Sequence, residues 1–238
     1  MPRSLRRVDA GLIYHILNRG NGRRMLFAKD ADYLAFFKML NEGLDRFAVD
    51  VLAYCLMGNH WHLMLRPRSG DALPRFMAWL GTTHARRYHA YHPQSGAGHV
   101  YQGRYKSFPV QDDAHFLTVA RYIHANPLRA GLVRRAQDWP WSSLSPHGSA
   151  PPLAEWPLDR PANWTALVNS SMDERELARV RTSIARGRPF GSDKWTGAIA
   201  SRLRLTSSLA PRGRPRKPLA ELSPRQKRRR AASRIGHK

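Results

Sequence analysis

The segment that most restricts how this chain can fold is a hairpin. Asp50 to Leu56 reads as a strand, Met57-Gly58-Asn59 as a tight connection, and His60 to Arg66 as the returning strand. The same stretch holds the longest apolar run, Val51 to Met57, far short of the roughly 20 residues a membrane-spanning helix needs. Cys55, the one cysteine, sits inside that run and reads as core filling. An internal disulfide and a cysteine-based zinc site are therefore excluded. Around the hairpin the chain alternates. Leu12 to Asn18 reads as a strand closed by Arg19-Gly20-Asn21-Gly22. Leu34, Phe37, Leu40, Leu44 and Phe47 recur at threes and fours, which predicts a helix from Ala31 to about Phe47 capped by Asp30. A second helix is expected from Leu73 to Tyr91, and a short strand from Ser107 to Gln111. A third helix should run from an Asp112 or Asp113 cap through Ile123, ended by Pro127, which biases Asn126 away from helical geometry. The order β-α-β-β-α-β-α predicts an α+β fold, an antiparallel sheet with helices packed on it.

Charge restricts the partner. Hydrophobic residues at 42% and charged residues at 24% are ordinary for a globular protein, but 40 Lys+Arg against 17 Asp+Glu give a formal +23 over 238 residues. Residues 1–149 carry +10, 150–200 carry +1, and 201–238 carry +12. Self-repulsion on that scale asks for a polyanion, nucleic acid first; a ribosomal or chromatin packing protein would carry the same charge without chemistry. The basic N-terminus leads into no apolar signal core, so a cytoplasmic, nucleoid-associated protein with no membrane partner is expected. Three regions follow: a core over 1–149, a helical extension over 150–205, and a basic, disordered DNA-binding tail over 206–238. In the extension, Asp173 to Gly187 and Ser192 to Leu205 read as two helices, arranged either as a helix-turn-helix or as packing for the core. In the tail, Arg-Gly-Arg-Pro is similar to an AT-hook, making Arg212, Arg214, Arg216 and Lys217 candidates for DNA contact.

Chemistry concentrates in two places. On a strand, His60 and His62 share one face while Trp61 points into the core. Two such imidazoles can share a divalent cation if a third ligand arrives, or they can be a satisfied or exposed pair. Tyr122 and Asn126 stand one helical turn apart on one face. Opposite the histidines they would set a hydroxyl and an amide beside the cation; otherwise Tyr122 packs and Asn126 closes the helix. His124, two residues on from Tyr122, is expected at the surface. Arg104 and Lys106, interleaved with Tyr101 and Tyr105, have the composition of a single-strand groove, as do Arg86 and Arg87 beside Tyr88 and Tyr91. Arg129 follows the tyrosine helix within reach of a phosphate.

Several segments together resemble the HUH single-tyrosine transposases of insertion sequences, and within them the REP-associated tyrosine transposases. They are Tyr14-His15-Ile16-Leu17-Asn18-Arg19-Gly20, Leu56-Met57-Gly58-Asn59-His60-Trp61-His62-Leu63, Tyr101-Gln102-Gly103-Arg104-Tyr105-Lys106-Ser107, the run from Tyr122-Ile123-His124-Ala125-Asn126-Pro127 to Val133, and Trp139-Pro140-Trp141-Ser142-Ser143. The resemblance spans about residues 8–145 in order. It implies an HUH, ferredoxin-like nuclease core in which Tyr122 attacks a scissile phosphate of single-stranded or hairpin DNA and forms a 5′-phosphotyrosine. It also implies Mg²⁺ or Mn²⁺ held by His60, His62 and Asn126, and action either as a homodimer or as a monomer. A phenol with a pKa near ~10 needs such activation, and no carboxylate stands beside Tyr122 in sequence as a general base. Gly58 replaces the proline of many relatives, which should loosen the turn without touching the ligands. Two alternatives stay open: a DNA- or RNA-binding protein that kept the fold without catalysis, and a metal-dependent nuclease that uses water while Tyr122 is structural.

Overall fold

A computed structural model describes residues 7–92 and 98–210. The hairpin forms where the sequence places it: β2 (Val49–Met57) pairs antiparallel with β3 (His60–Pro67), Met57 opposite His60. β1 (Ile13–Arg19) lies on the other side of β3, and β4 (Lys106–Val110) pairs with β1. The sheet order is β2-β3-β1-β4, antiparallel throughout. The expected α+β architecture and its element order hold. The turn is not loose, however. The Gly58 carbonyl accepts the N–H groups of Leu26 (2.7 Å) and Phe27 (3.0 Å), and the Asn59 carbonyl accepts that of Gly20 (2.9 Å). The loop after β1 therefore clamps the turn that precedes His60.

Helices cover both faces of the sheet. α1 (Asp30–Arg46) and α2 (Ala72–Tyr91) pack Phe36, Phe37, Leu40 and Phe76 against Tyr54 and Trp61. The opposite face meets α3 (Ala114–His124), which packs Phe116, Val119 and Ile123 against Cys55, Met64 and Phe108. Burial on both sides is why Val51 to Met57 is apolar without alternation. Leu34 of the predicted stripe is exposed, and Tyr33, Phe36 and Gly43 share the inner face instead. At Gly43 an added Cβ would lie 2.6 Å from the Phe76 ring and 2.8 Å from the Trp79 ring, so glycine sets how closely α1 approaches α2. Asp30 is the first helical residue and not the cap. The Asp32 carboxylate takes the Ala28 and Lys29 N–H groups at 2.8 and 3.2 Å. Asp113 caps α3, accepting from the His115 N–H at 2.8 Å. Pro127 does not simply stop the chain: it sits in the first turn of a short α4 (Asn126–Arg129), where its missing N–H costs nothing.

The later chain wraps this core. Residues 141–143 run along the outer edge of β2, where the Leu56 N–H donates to the Trp141 carbonyl (2.8 Å) and the Ser143 N–H to the Tyr54 carbonyl (3.0 Å). An exposed sheet edge is thereby covered. α5 (Trp164–Asn169) and α6 (Glu174–Arg186) add Trp164, Val168 and Val180 to the α3-side cluster. α6 ends on Gly187, whose φ of 68° is the left-handed cap that glycine adopts without strain. Phe190 then binds the outer edge of β4, donating to the Pro109 carbonyl and accepting from the Gln111 N–H, both at 2.9 Å. α7 (Asp193–Arg202) and the following Leu203 reach the α1–α2 cluster. Both predicted extension helices thus pack on the core. The described chain continues past residue 206 in a short 3-10 turn, Thr206–Ser208. Arg212, Arg214, Arg216 and Lys217 lie outside the described residues. No described helix is long and apolar enough to cross a membrane.

Candidate active site

Sheet register gathers the polar groups. Arg19 stands opposite His60, while Leu17 stands opposite His62 on one side and Lys106 on the other; His15 stands opposite Phe108. Because side chains alternate, these residues share the face that α3 crosses. The apolar side of α3 is fixed on the sheet by Phe116, Val119 and Ile123, and this turns Tyr122 toward the histidines. Its ring centroid lies 5.8 Å from that of His62, edge to face, and the His60 and His62 centroids are 5.2 Å apart. Asn126 Nδ2 is 3.5 Å from His60 Nε2. A cavity of about 400 Å³ is lined by all four residues together with Arg19, Arg104 and Lys106, and by no carboxylate.

Arg129 also belongs to this region. Its guanidinium sits 4.1 Å from the Tyr122 ring centroid and donates to the Tyr122 carbonyl at 2.9 Å, which holds a cation over the phenol. Arg86 and Arg87 do not reach the groove. Their helix, α2, covers the other face of the sheet, where Arg87 pairs with Glu42 at 2.9 Å.

The imidazoles are held neutral, and that of His60 has a defined free nitrogen. Burial lowers the His60 pKa to about 4, aided by the Arg19 and Arg129 charges. Burial first, and then the neighbouring His15 and His60 rings, put His62 well below its ordinary value. Asn59 Oδ1 is 2.7 Å from His60 Nδ1. An amide oxygen only accepts, so Nδ1 carries the proton and Nε2 keeps its lone pair toward Asn126. His62 Nδ1 lies 2.8 Å from His15 Nε2, and the two rings stack at 5.1 Å. His15 is completely buried and its Nδ1 has no partner. Two neutral imidazoles plus an amide that can rotate to present its oxygen fit a divalent cation of borderline softness, with His15 as the outer hydrogen-bond partner of His62. Among the described residues no group of three His, Cys, Asp or Glu offers a second candidate.

His15 lies in the first motif, where the sequence alone gives it no role. Strand alternation exposes its face, yet only the non-local pairing of β1 with β3 brings it to His62. Ile184 of α6 lines the same cavity, and Arg181 is close enough for its charge to act on Arg129; no sequence signal marked either. His124 reverses its expected place. It is fully buried, its Nδ1 accepts from the Trp164 indole N–H (3.1 Å), and its Nε2–H donates to Ser143 Oγ (2.8 Å). The extension covers the side of α3 that periodicity alone assigns to solvent.

The site is therefore an antiparallel sheet that presents two imidazoles to a helical tyrosine in a groove lined by cations. Residues 9–126, just under half of the chain, match the family model of IS200-like transposases. A Haemophilus influenzae protein provisionally named a REP-associated tyrosine transposase is 24% identical over 122 residues, covering 48% of this chain and 69% of that one. The solved structure of a REP-associated tyrosine transposase bound to a REP hairpin superposes with a TM-score of 0.48 at 14% identity, over 65% of this chain and 100% of that one. A provisionally named transposase from Deinococcus radiodurans gives 0.37 at 20% identity, over 52% and 95%.

Proposed function

We propose that the chain is a metal-dependent transposase that nicks and rejoins single-stranded or hairpin DNA through Tyr122. The observation that carries this reading is the shared cavity of Tyr122, His60, His62 and Asn126, rimmed by Arg19, Arg104 and Lys106. His60 Nε2, His62 Nε2 and the Asn126 amide oxygen would hold Mn²⁺ or Mg²⁺, which when bound polarises a phosphoryl oxygen and offsets developing charge. This ligand set is neutral, so the DNA phosphate balances the cation's charge, and nitrogen ligands favour Mn²⁺. Arg104 and Lys106 hold flanking phosphates in the groove. Arg129 holds the phenol ring in place and adds positive charge where the phenolate forms.

The bond made joins the Tyr122 hydroxyl oxygen to phosphorus, and the bond broken frees a 3′-hydroxyl. With no carboxylate lining the groove, the phenol proton leaves to water, and the departing 3′-oxygen takes one from water. The phosphotyrosine conserves the bond energy, so a 3′-hydroxyl can reverse the step without an external energy source.

The test incubates the full-length protein with Mn²⁺ and a labelled pool of single-stranded hairpin DNAs beside Tyr122→Phe, read on a denaturing gel. A slow band in wild type that Tyr122→Phe lacks is the expected result. Cleavage that survives in Tyr122→Phe would transfer the chemistry to water, and binding without cleavage by either protein would leave a DNA-binding protein.

A further inference from the structure

The groove continues beyond the tyrosine. Lys106 and Ile184, which line the catalytic cavity, also line a second cleft of about 300 Å³. This cleft lies between Ser107 and Pro109 of the edge strand β4 and the last turn of α6, with Leu203 and Leu205 on its wall. Its lining combines apolar surface with three cations, Arg7, Lys106 and Arg186, and includes no acidic residue. Arg186 donates to the carbonyls of Ser207 and Ala210, so its charge is not neutralised there. Asp9, the carboxylate closest to Arg7 in sequence, is bound by Arg202 at 2.6 Å. Apolar walls accept the flat faces of bases while cations follow the phosphates, a combination suited to an unpaired strand.

We propose that this cleft binds the single-stranded DNA next to the scissile phosphate, so that the strand passes from Tyr122 over Lys106 and on between β4 and α6. The inference rests on the function proposed above and extends it to a second subsite. Continuity with the catalytic cavity and charge complementarity both favour DNA as the occupant. The chain's own residues 211–238 hold 11 Lys+Arg and one acidic residue, so they share the sign of the cleft and are repelled by it. The α6 wall and Leu203–Leu205 lie outside the matched segment 9–126. Any preference for flanking sequence that they create would therefore belong to the extension of this chain.

Ala185 offers a direct test, because it lines the cleft, is exposed, and lies on a helix that accepts Glu or Lys readily. Ala185→Glu and Ala185→Lys would be compared with Ala90→Glu and Ala90→Lys, which make the same charge changes at an exposed site on α2, across the sheet. Full-length proteins would be titrated into a fluorescent 20-mer of thymidylate and followed by anisotropy. Ala185→Glu should weaken binding about fivefold or more and Ala185→Lys should tighten it, while the Ala90 pair shifts by less than about twofold. Equal shifts at 185 and 90 would overturn the strand path, since net charge alone would then explain them. The hairpin-adduct assay on wild type separates the two readings. An adduct with equal shifts would keep the tyrosine chemistry and remove the cleft. A site-specific shift without an adduct would keep a strand-binding cleft and remove the chemistry.

Discussion

Replacing Ser143 by alanine removes one oxygen and should cost far more than an ordinary surface hydroxyl. Ser143 Oγ accepts from the Tyr54 N–H at 2.8 Å and from His124 Nε2–H at 2.8 Å, and it donates to the Tyr54 carbonyl at 3.1 Å. The carbonyl keeps a second partner in the Ser143 N–H. The two donors have no other partner, and all the residues involved are buried. An orphaned buried donor costs about 1–3 kcal/mol, so Ser143→Ala should lose about 3–5 kcal/mol. In a chain of this size each kcal/mol moves the melting point by about 2–4 °C, which predicts a fall of about 6–20 °C. Urea unfolding monitored by tryptophan fluorescence would measure the loss as a lower midpoint at unchanged slope. Ser143→Thr, which keeps the hydroxyl, should recover much of the difference. A loss below about 1 kcal/mol in the alanine variant would refute the idea that this hydroxyl joins β2 to the tyrosine helix.

Three further outcomes follow from particular contacts. Tyr101 accepts from the Trp61 indole N–H (3.1 Å) and donates to buried His84 Nδ1 (2.6 Å). Burial holds the His84 pKa near 4, against an ordinary 6.5. Stability from this depressed group is therefore present above pH 6.5 and lost as pH falls toward 4, by up to about 3 kcal/mol. His84→Gln should reduce the acid-induced loss by about that amount, and parallel stability–pH curves for the two proteins would contradict it. Gly43→Ala forces a Cβ to within 2.6 Å of the Phe76 ring, and overpacking of this kind should cost about 1–3 kcal/mol in urea unfolding; no loss would show that α1 and α2 separate freely. His15→Phe removes the partner of His62 Nδ1 and should raise the Mn²⁺ concentration for half-maximal cleavage by about 10- to 100-fold. An unchanged Mn²⁺ requirement would remove His15 from the site.

Local pattern made much of this architecture readable. Alternation placed His60 and His62 on one face with Trp61 in the core. Apolar periodicity found α1 to α3 and the two long helices of the extension to within a few residues, because each period is imposed by the face the segment buries. What sequence periodicity does not carry is pairing between distant strands. His15 is five residues from Gly20 and 47 from His62, and only the β1–β3 register brings the two rings together. The same holds for composition: Arg86 and Arg87 have the chemistry of a DNA contact, but charge says nothing about which face of the sheet a helix will cover.

His124 shows why a correct period can still give a wrong environment. A helix packed on a sheet has one buried side when considered with its neighbours up to residue 123, and position 124 falls on the other. Forty residues later Trp164 arrives to hydrogen-bond its Nδ1, and Trp156 stacks at 6.2 Å between ring centroids. Burial lowers the His124 pKa to about 3, so the ring stays neutral and can serve as acceptor for Trp164 and donor for Ser143 at once. The Trp139-Pro140-Trp141-Ser142-Ser143 motif acquires its physical meaning here: it covers the open edge of β2 and supplies the hydroxyl to which His124 is anchored. Tyr122 stands two residues from that anchor. A segment more than 15 residues beyond the tyrosine therefore fixes the orientation of the helix that carries it, a dependence no local reading of that helix contains.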